Sequence, residues 1–392
     1  MLSGLLTDEN RKKIKDIFFY TALTLELLLM ILEKSEISFG YESYVFRVTF
    51  LLTLVAMALV KRDKKEWLLV AILLGFTFVC YELSGKNDLL RVAVFLAAAR
   101  DIDLKKAMKY SFFVSLSGFC LIALLSIMRI LGEVVRVADY GRGIADETRL
   151  VLGFGHPNTL FGCVYVLVLM WLWIYGEKAS LLMHGVTIAI SFIFAAFTRS
   201  RTAIVVMAMT LVLALVIRIF PKLKDVKALY VLEGIVTPFT CIGLAVWAAY
   251  LSDIIYVGHG LSEPYWSLFW KVEEKINYRV SNLYYEVPEH GGILRNWHLF
   301  AGHNAEGYFD LGWNRLFYWY GIIPTALIAV AIILLIYVCY KKRDMWTMLI
   351  ILSLSVYTII EATYVTRYIG RCFFLLIAGV YLGYLFKGKI NE

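Results

Sequence analysis

A chain of 392 residues that is 60% hydrophobic and 15% aromatic, with only 18% charged side chains, falls well short of the roughly 25% charge of a soluble domain. That balance excludes an ordinary soluble fold. The net charge of +8 does not argue for nucleic acid, because in a membrane chain it mostly reflects topology.

In chain order, residues 1–15 are polar and basic, and the apolar run behind them has no small-residue cleavage site. That pattern predicts a start-transfer helix and not a removed signal peptide. Twelve apolar runs follow, near 17–32, 44–60, 66–81, 87–99, 110–128, 159–175, 180–197, 202–219, 230–251, 316–339, 346–361 and 371–386. Most approach the roughly 20 residues that cross a ~30 Å hydrocarbon core as a helix. The fourth is short and carries Asp88 and Arg91 at its outer end, as a re-entrant or internally packed segment would. The expected fold is all-α: one integral membrane domain, residues 1–392, of about twelve transmembrane helices. One large extracytoplasmic loop, residues 252–315, separates spans nine and ten. The six cysteines (Cys80, Cys120, Cys163, Cys241, Cys339, Cys372) all fall inside apolar runs, without metal spacing or a place for a loop disulfide.

Basic residues fix the expected orientation. Arg11, Lys12, Lys13 and Lys15 precede the first run, and alternate connections then carry basic clusters at 61–65, 100–109, 178, 218–227, 341–343 and 387–389. The alternation places both termini in the cytoplasm and the chain, multi-pass, in the cell membrane. Residue identity adds a second signal. The inner side holds 17 Lys and 5 Arg, the outer side 4 Lys and 13 Arg. Topology requires positive charge inside but is indifferent to its type. Outer arginine points to phosphate or carboxylate, which its planar fork grips through two parallel bonds; the plainer reading is that arginine tolerates interfacial burial better than lysine.

Three outer segments concentrate the unusual residues. The first is Arg149 to Asn158, RLVLGFGHPN, where Pro157 is placed to open a helix with His156 just outside it. Gly153 and Gly155 permit close backbone approach; the bland alternative is a glycine turn with a capping histidine. The second is TRSRTA, in which Arg199 and Arg201 flank Ser200 between two apolar runs. A helix beginning there would aim its N-terminus outward, a favourable place for phosphate. Arg199 and Arg201 face one way only if the turn is extended, and anchoring to lipid head groups is the competing role. The third is the long loop, with His259, His290, His298 and His303 and many aromatic residues. Residues 265–283 read as an amphipathic surface helix. Its aromatics suit sugar stacking or the ordinary interfacial belt. Near or inside spans, Glu26, Glu82, Asp88 and Glu361 are possible partners for outer arginines such as Arg91 or Arg367, with Glu361 the best placed to face a substrate.

Four motifs together resemble one family: RLVLGFGHPN before a span, TRSRTA between two spans, NYR in the large loop, and HNAEGYF followed by YWYGIIP opening the next span. The chain resembles the Wzy-type oligosaccharide repeat-unit polymerases, related to the O-antigen ligases. The layout agrees, while the first three spans match only in character. The resemblance implies metal-independent glycosyl transfer on the outer leaflet, without cofactor. Donor and acceptor would both be glycans on undecaprenyl diphosphate, assembled into a surface polysaccharide, with a flippase and a chain-length regulator as further partners besides the lipid bilayer. By motif it assigns Arg201 and Arg279 to the diphosphate and His303 to the acceptor hydroxyl, with Arg199, Arg149, His156, Asn158 and Asn304 in support. A ligase with another acceptor, or a transporter of lipid-linked oligosaccharide, are the alternatives. A transporter would line a mid-membrane cavity with charge and show internal repeats, and no convincing repeat is present.

Overall fold

The computed structural model of the chain describes residues 7–138, 146–257, 262, 265–285, 292–303, 305, 310–361 and 364–387, with the backbone alone at 201–202, 255–257 and 386–387. Five helices come first: α1 (Asp8–Lys34), α2 (Glu42–Leu59), α3 (Lys64–Ser84), α4 (Asp88–Ala99) and α5 (Leu104–Ile127). A short hairpin, β1 (Val135–Ala138) and β2 (Glu147–Leu150), leads to α6 (Pro157–Tyr175), α7 (Leu181–Thr198), α8 (Arg201–Ile219) and α9 (Lys227–Val257). The remainder is α10 (Tyr265–Lys275), α11 (Asn282–Tyr285), α12 (Gly312–Tyr320), α13 (Ile322–Lys342), α14 (Met345–Tyr357) and α15 (Phe374–Lys387).

Among the described residues the fold is all-α apart from the hairpin, and every predicted run falls on a helix. The tenth run is cut at Gly321 into α12 and α13. Among the described residues, seven helices are long and apolar enough to cross a membrane: α2, α3, α5, α6, α7, α9 and α13. Helix starts are marked by side chains that accept otherwise unpaired backbone N–H groups. Asp63 and Glu66 form a reciprocal capping box at α3, and Asp103, Ser180 and Asp344 cap α5, α7 and α14.

Burial sorts the helices into an inner set and a perimeter. α4 and α14 are buried along nearly their whole length, while Leu68 and Ile72 of α3, Leu182 and Phe197 of α7 and Phe239 of α9 stand exposed. So many large apolar side chains on the outside suit hydrocarbon and not water. The short fourth segment is packed inside, between α2, α3 and α15. Its charges are met by protein. Arg91 pairs with Glu26 at 2.8 Å and donates to the Arg367 carbonyl at 2.7 Å, while Asp88 accepts the Tyr320 hydroxyl at 3.0 Å. Glu26 thus takes Arg91 as its partner, one of the pairings anticipated. Close approach of α15 to α4 depends on Gly379, where an added Cβ would lie 2.7 Å from the Ala99 methyl.

The long connection differs from its expected form at both ends. α9 runs on to Val257, and the expected surface helix stops at Lys275. Within α10, Tyr265, Leu268 and Val272 form an exposed apolar stripe beside the buried Phe269 and Glu273. The chain then turns sharply before α11. The hairpin was not anticipated; its strands are four residues each, too short for alternation to stand out beside the long apolar runs.

Candidate functional site

Two cavities lie at opposite ends of the same helices. One meets the starts of α6 and α8 and the end of α14; the other meets the ends of α6 and α8 and the start of α14. The first has a volume of about 570 Å³ and gathers the chemistry. It draws Glu33 and Lys34 from the end of α1, Arg149 from β2, His156 and Asn158 from the start of α6, and Ser200 from the α7–α8 turn. Asn277, Arg279, Asp310, Tyr357, Glu361 and Arg371 complete its wall from later segments.

The α6 side follows from local sequence. Gly153 and Gly155 take φ of 78° and 70°, a left-handed backbone that favours glycine, and they turn the chain from β2 into the helix. His156 is the N-cap, and Pro157 occupies the first turn, where its missing N–H costs nothing. The His156 Nδ1 accepts the Asn158 N–H at 3.1 Å, so the neutral ring carries its proton on Nε2. Burial, with Arg149 and Arg136 nearby, holds this imidazole below its ordinary pKa. At neutral pH His156 is therefore uncharged and offers a donor through Nε2. The Ser200 hydroxyl donates to Asn158 Oδ1 at 2.8 Å, binding the start of α8 to that of α6. Two 19-residue helices thus bring their N-termini to one cavity, adding partial positive charge and backbone N–H groups.

Arg149 and Glu147 lie two apart on β2 and so share a face, where both are buried. Arg149 Nε donates to Glu147 Oε2 at 2.7 Å. Arg279 follows Asn277 and Tyr278, which have φ of 59° and 55°, a conformation uncommon for side-chain-bearing residues. The strained turn is held by the fully buried Glu273, whose carboxylate accepts the Ser281 N–H at 2.8 Å, the Ser281 hydroxyl at 2.7 Å and the Val280 N–H at 3.3 Å. So held, Arg279 reaches Asp310 at 3.2 Å and the Ile360 carbonyl at 3.2 Å. On the third wall, Arg371 grips Glu33 through both arms of its guanidinium, one bond at 2.9 Å. Glu361 sits beyond the end of α14, and burial together with Asp310 raises its pKa above the ordinary carboxylate value.

Of the residues singled out from sequence, the structure brings Arg149, His156, Asn158, Arg279 and Glu361 together. Arg199 goes elsewhere: the turn is not extended but left-handed at φ 50°, and its exposed side chain lies 3.6 Å from Glu147. The Arg201 backbone opens α8, while its side chain and the whole of Asn304 lie outside the described residues. His303, expected at the reaction centre, is not among the residues lining this cavity. The segment before it folds back on the α12–α13 junction, with Ile322 N–H on the His298 carbonyl and Ala301 N–H on that of Tyr320. That path leaves the His303 ring beside Gly85, at the end of α3.

Lys34, Glu33, Arg371, Tyr357 and Asp310 were missed. Glu33 and Arg371 are 338 positions apart, and nothing local in either segment announces the other. Among the described residues, no group of three or more His, Cys, Asp or Glu side chains is placed to hold a metal ion. In comparison with known proteins, no family model, curated protein or solved structure matches the chain.

Proposed function

We propose that this protein is a membrane glycosyltransferase that polymerises diphospholipid-linked oligosaccharide repeat units. The supporting observation is a single cavity in which Arg149, Arg279 and Arg371, from three distant segments, meet the N-termini of α6 and α8. Fixed guanidinium groups and helix termini stabilise a departing diphosphate without reorganising, which is the largest contribution a site of this kind can make. In this reading about twelve segments span the membrane, the termini are cytoplasmic and the cavity opens outward. Clusters of basic residues on alternate connections support that orientation.

Arg279 and Arg371 hold the diphosphate of the donor, with Arg149 behind them. His156 donates through Nε2 to a sugar or phosphate oxygen, since its other nitrogen is engaged. The base is Glu361, which takes over the role first expected of His303. A raised carboxyl pKa brings Glu361 closer to the range in which proton abstraction is efficient. The acceptor hydroxyl oxygen bonds to the anomeric carbon as the bond from that carbon to the diphosphate oxygen breaks. The hydroxyl proton passes to Glu361, and the electron pair leaves with the lipid diphosphate. A single displacement of this kind inverts the anomeric centre.

The test is chain growth by the full-length protein from purified lipid-linked repeat units. Glu361→Gln is expected to slow it by about 10²–10⁴-fold at unchanged protein level. Undiminished growth with Glu361→Gln removes it as the base. In cells, the Arg279→Ala variant should still accept repeat units translocated to the outer leaflet but should not extend them. Repeat units trapped on the inner leaflet would favour a transporter, and transfer to a different acceptor a ligase.

A further inference from the structure

The cavity at the other end of α6, α8 and α14 has no part in that chemistry. Its volume is about 850 Å³, and its charge is overwhelmingly cationic. Lys178, Arg218 and Lys224 line it, and Lys341, Lys342 and Arg343 come from the last turn of α13 and its C-cap. Lys105 adds a seventh cation from the start of α5, against only Glu177 and Asp344 as acids.

Charge-sided topology alone explains basic loops, but not three features found here. The cations surround a hollow, whereas loops obeying topology alone need only carry charge. Among the described residues, Lys105, Lys178 and Lys224 have no carboxylate partner, although Arg343 meets Asp225 at 2.8 Å. Asp344 makes no ion pair with these cations among the described residues; its carboxylate accepts the Thr347 N–H at 2.9 Å, the Thr347 hydroxyl at 2.7 Å and the Tyr381 hydroxyl. Finally, the apolar surroundings are built for a molecule with two characters. Trp173, Trp346 and Tyr381 form part of the wall. The chain next to it exposes Leu181 and Leu182 at the start of α7, and Ile219 and Phe220 after Arg218.

We infer that this cavity binds the head group of an acidic phospholipid from the leaflet at that face. The phosphate sits among Lys178, Arg218 and Lys224, and the acyl chains run out over Leu182 and Phe220. A basic pocket between helices, bordered by lipid-facing side chains, suits that chemistry, and each cation near such a surface is worth about a fivefold change in affinity. The inference does not rest on the proposed polymerase activity.

Native mass spectrometry of the full-length protein in detergent, titrated with phosphatidylglycerol or phosphatidylcholine, tests it. Phosphatidylglycerol should bind in preference, and Lys178→Gln with Lys224→Gln should weaken it by about 25-fold. Lys64→Gln with Lys65→Gln, exposed cations outside the cavity, should leave it unchanged. Equal binding of the two lipids by the unaltered protein overturns the inference, and needs no variant. So does equal weakening by the Lys64 and Lys65 pair, which would mean a diffuse surface effect. Inorganic phosphate competing as well as the lipid would assign the cavity to free phosphate, and the lipid proposal would fall.

Discussion

The two cavities use positive charge in opposite ways. At the hairpin end the cations are mainly arginines, and each arginine of the cavity wall pairs with a carboxylate: Arg149 with Glu147, Arg279 with Asp310, Arg371 with Glu33. At the other end they are mainly lysines, and among the described residues Lys105, Lys178 and Lys224 make no ion pair with a carboxylate. A paired guanidinium is fixed in place and its charge is partly masked until a stronger anion arrives. A lone lysine keeps a flexible stem and a hydrated, fully expressed charge. The first arrangement favours position, as a reaction requires; the second favours attraction, as reversible capture of an anion requires.

That contrast is most directly broken at Arg279. Arg279→Ala removes a fixed donor and leaves Asp310 uncompensated, and kcat for chain growth should fall by about 10²–10³-fold. A change confined to KM would show that the site attracts and does not position. A sharper probe leaves the cation in place and loosens its mount. Glu273→Ala releases the Asn277–Tyr278 turn, and a displacement near 1 Å at Arg279 should cost about 10²-fold in kcat. Protein yield and the melting temperature, followed in parallel, separate misplacement from unfolding. Arg371→Lys keeps the charge but loses one arm of the Glu33 grip. It should reduce turnover by about tenfold, and full turnover would argue that charge alone suffices.

The smallest effect is on stability. Glu361 has a folded-state pKa above that of the unfolded chain, so folding favours its protonated form. Its contribution is complete below the ordinary carboxylate pKa and is lost as the pH rises through the raised value. Glu361→Gln should therefore flatten the melting temperature across that window and leave the variant the more stable above it. An identical pH profile in the two proteins would mean that the carboxyl is not held in a desolvated site.

Much of the architecture was legible because membrane helices announce themselves as long apolar runs, and each of the twelve runs fell on helix, the tenth on two. The limits came from tertiary structure. Gly321 divides one run because the chain at 298–301 packs against the junction. At the site, RLVLGFGHPN and NYR were readable because glycine, proline and arginine carry local meaning. Nothing in the amphipathic pattern of residues 265–283 marks Glu273 out, and only the fold shows it clasping Ser281. His303 had the right chemistry in the right loop, but a backbone pairing near Tyr320 decides where that loop goes.

Helix α4 bears on how the protein is made. Its 12 residues rise only about 18 Å, too little to cross a bilayer unaided, and both its ends carry charge. The α2 and α3 helices precede it in the chain, but the Gly379 surface of α15 that completes its shelter follows far behind it. A truncation that removes α15 should therefore uncover a charged, short helix and hinder maturation of the α1–α4 region as well.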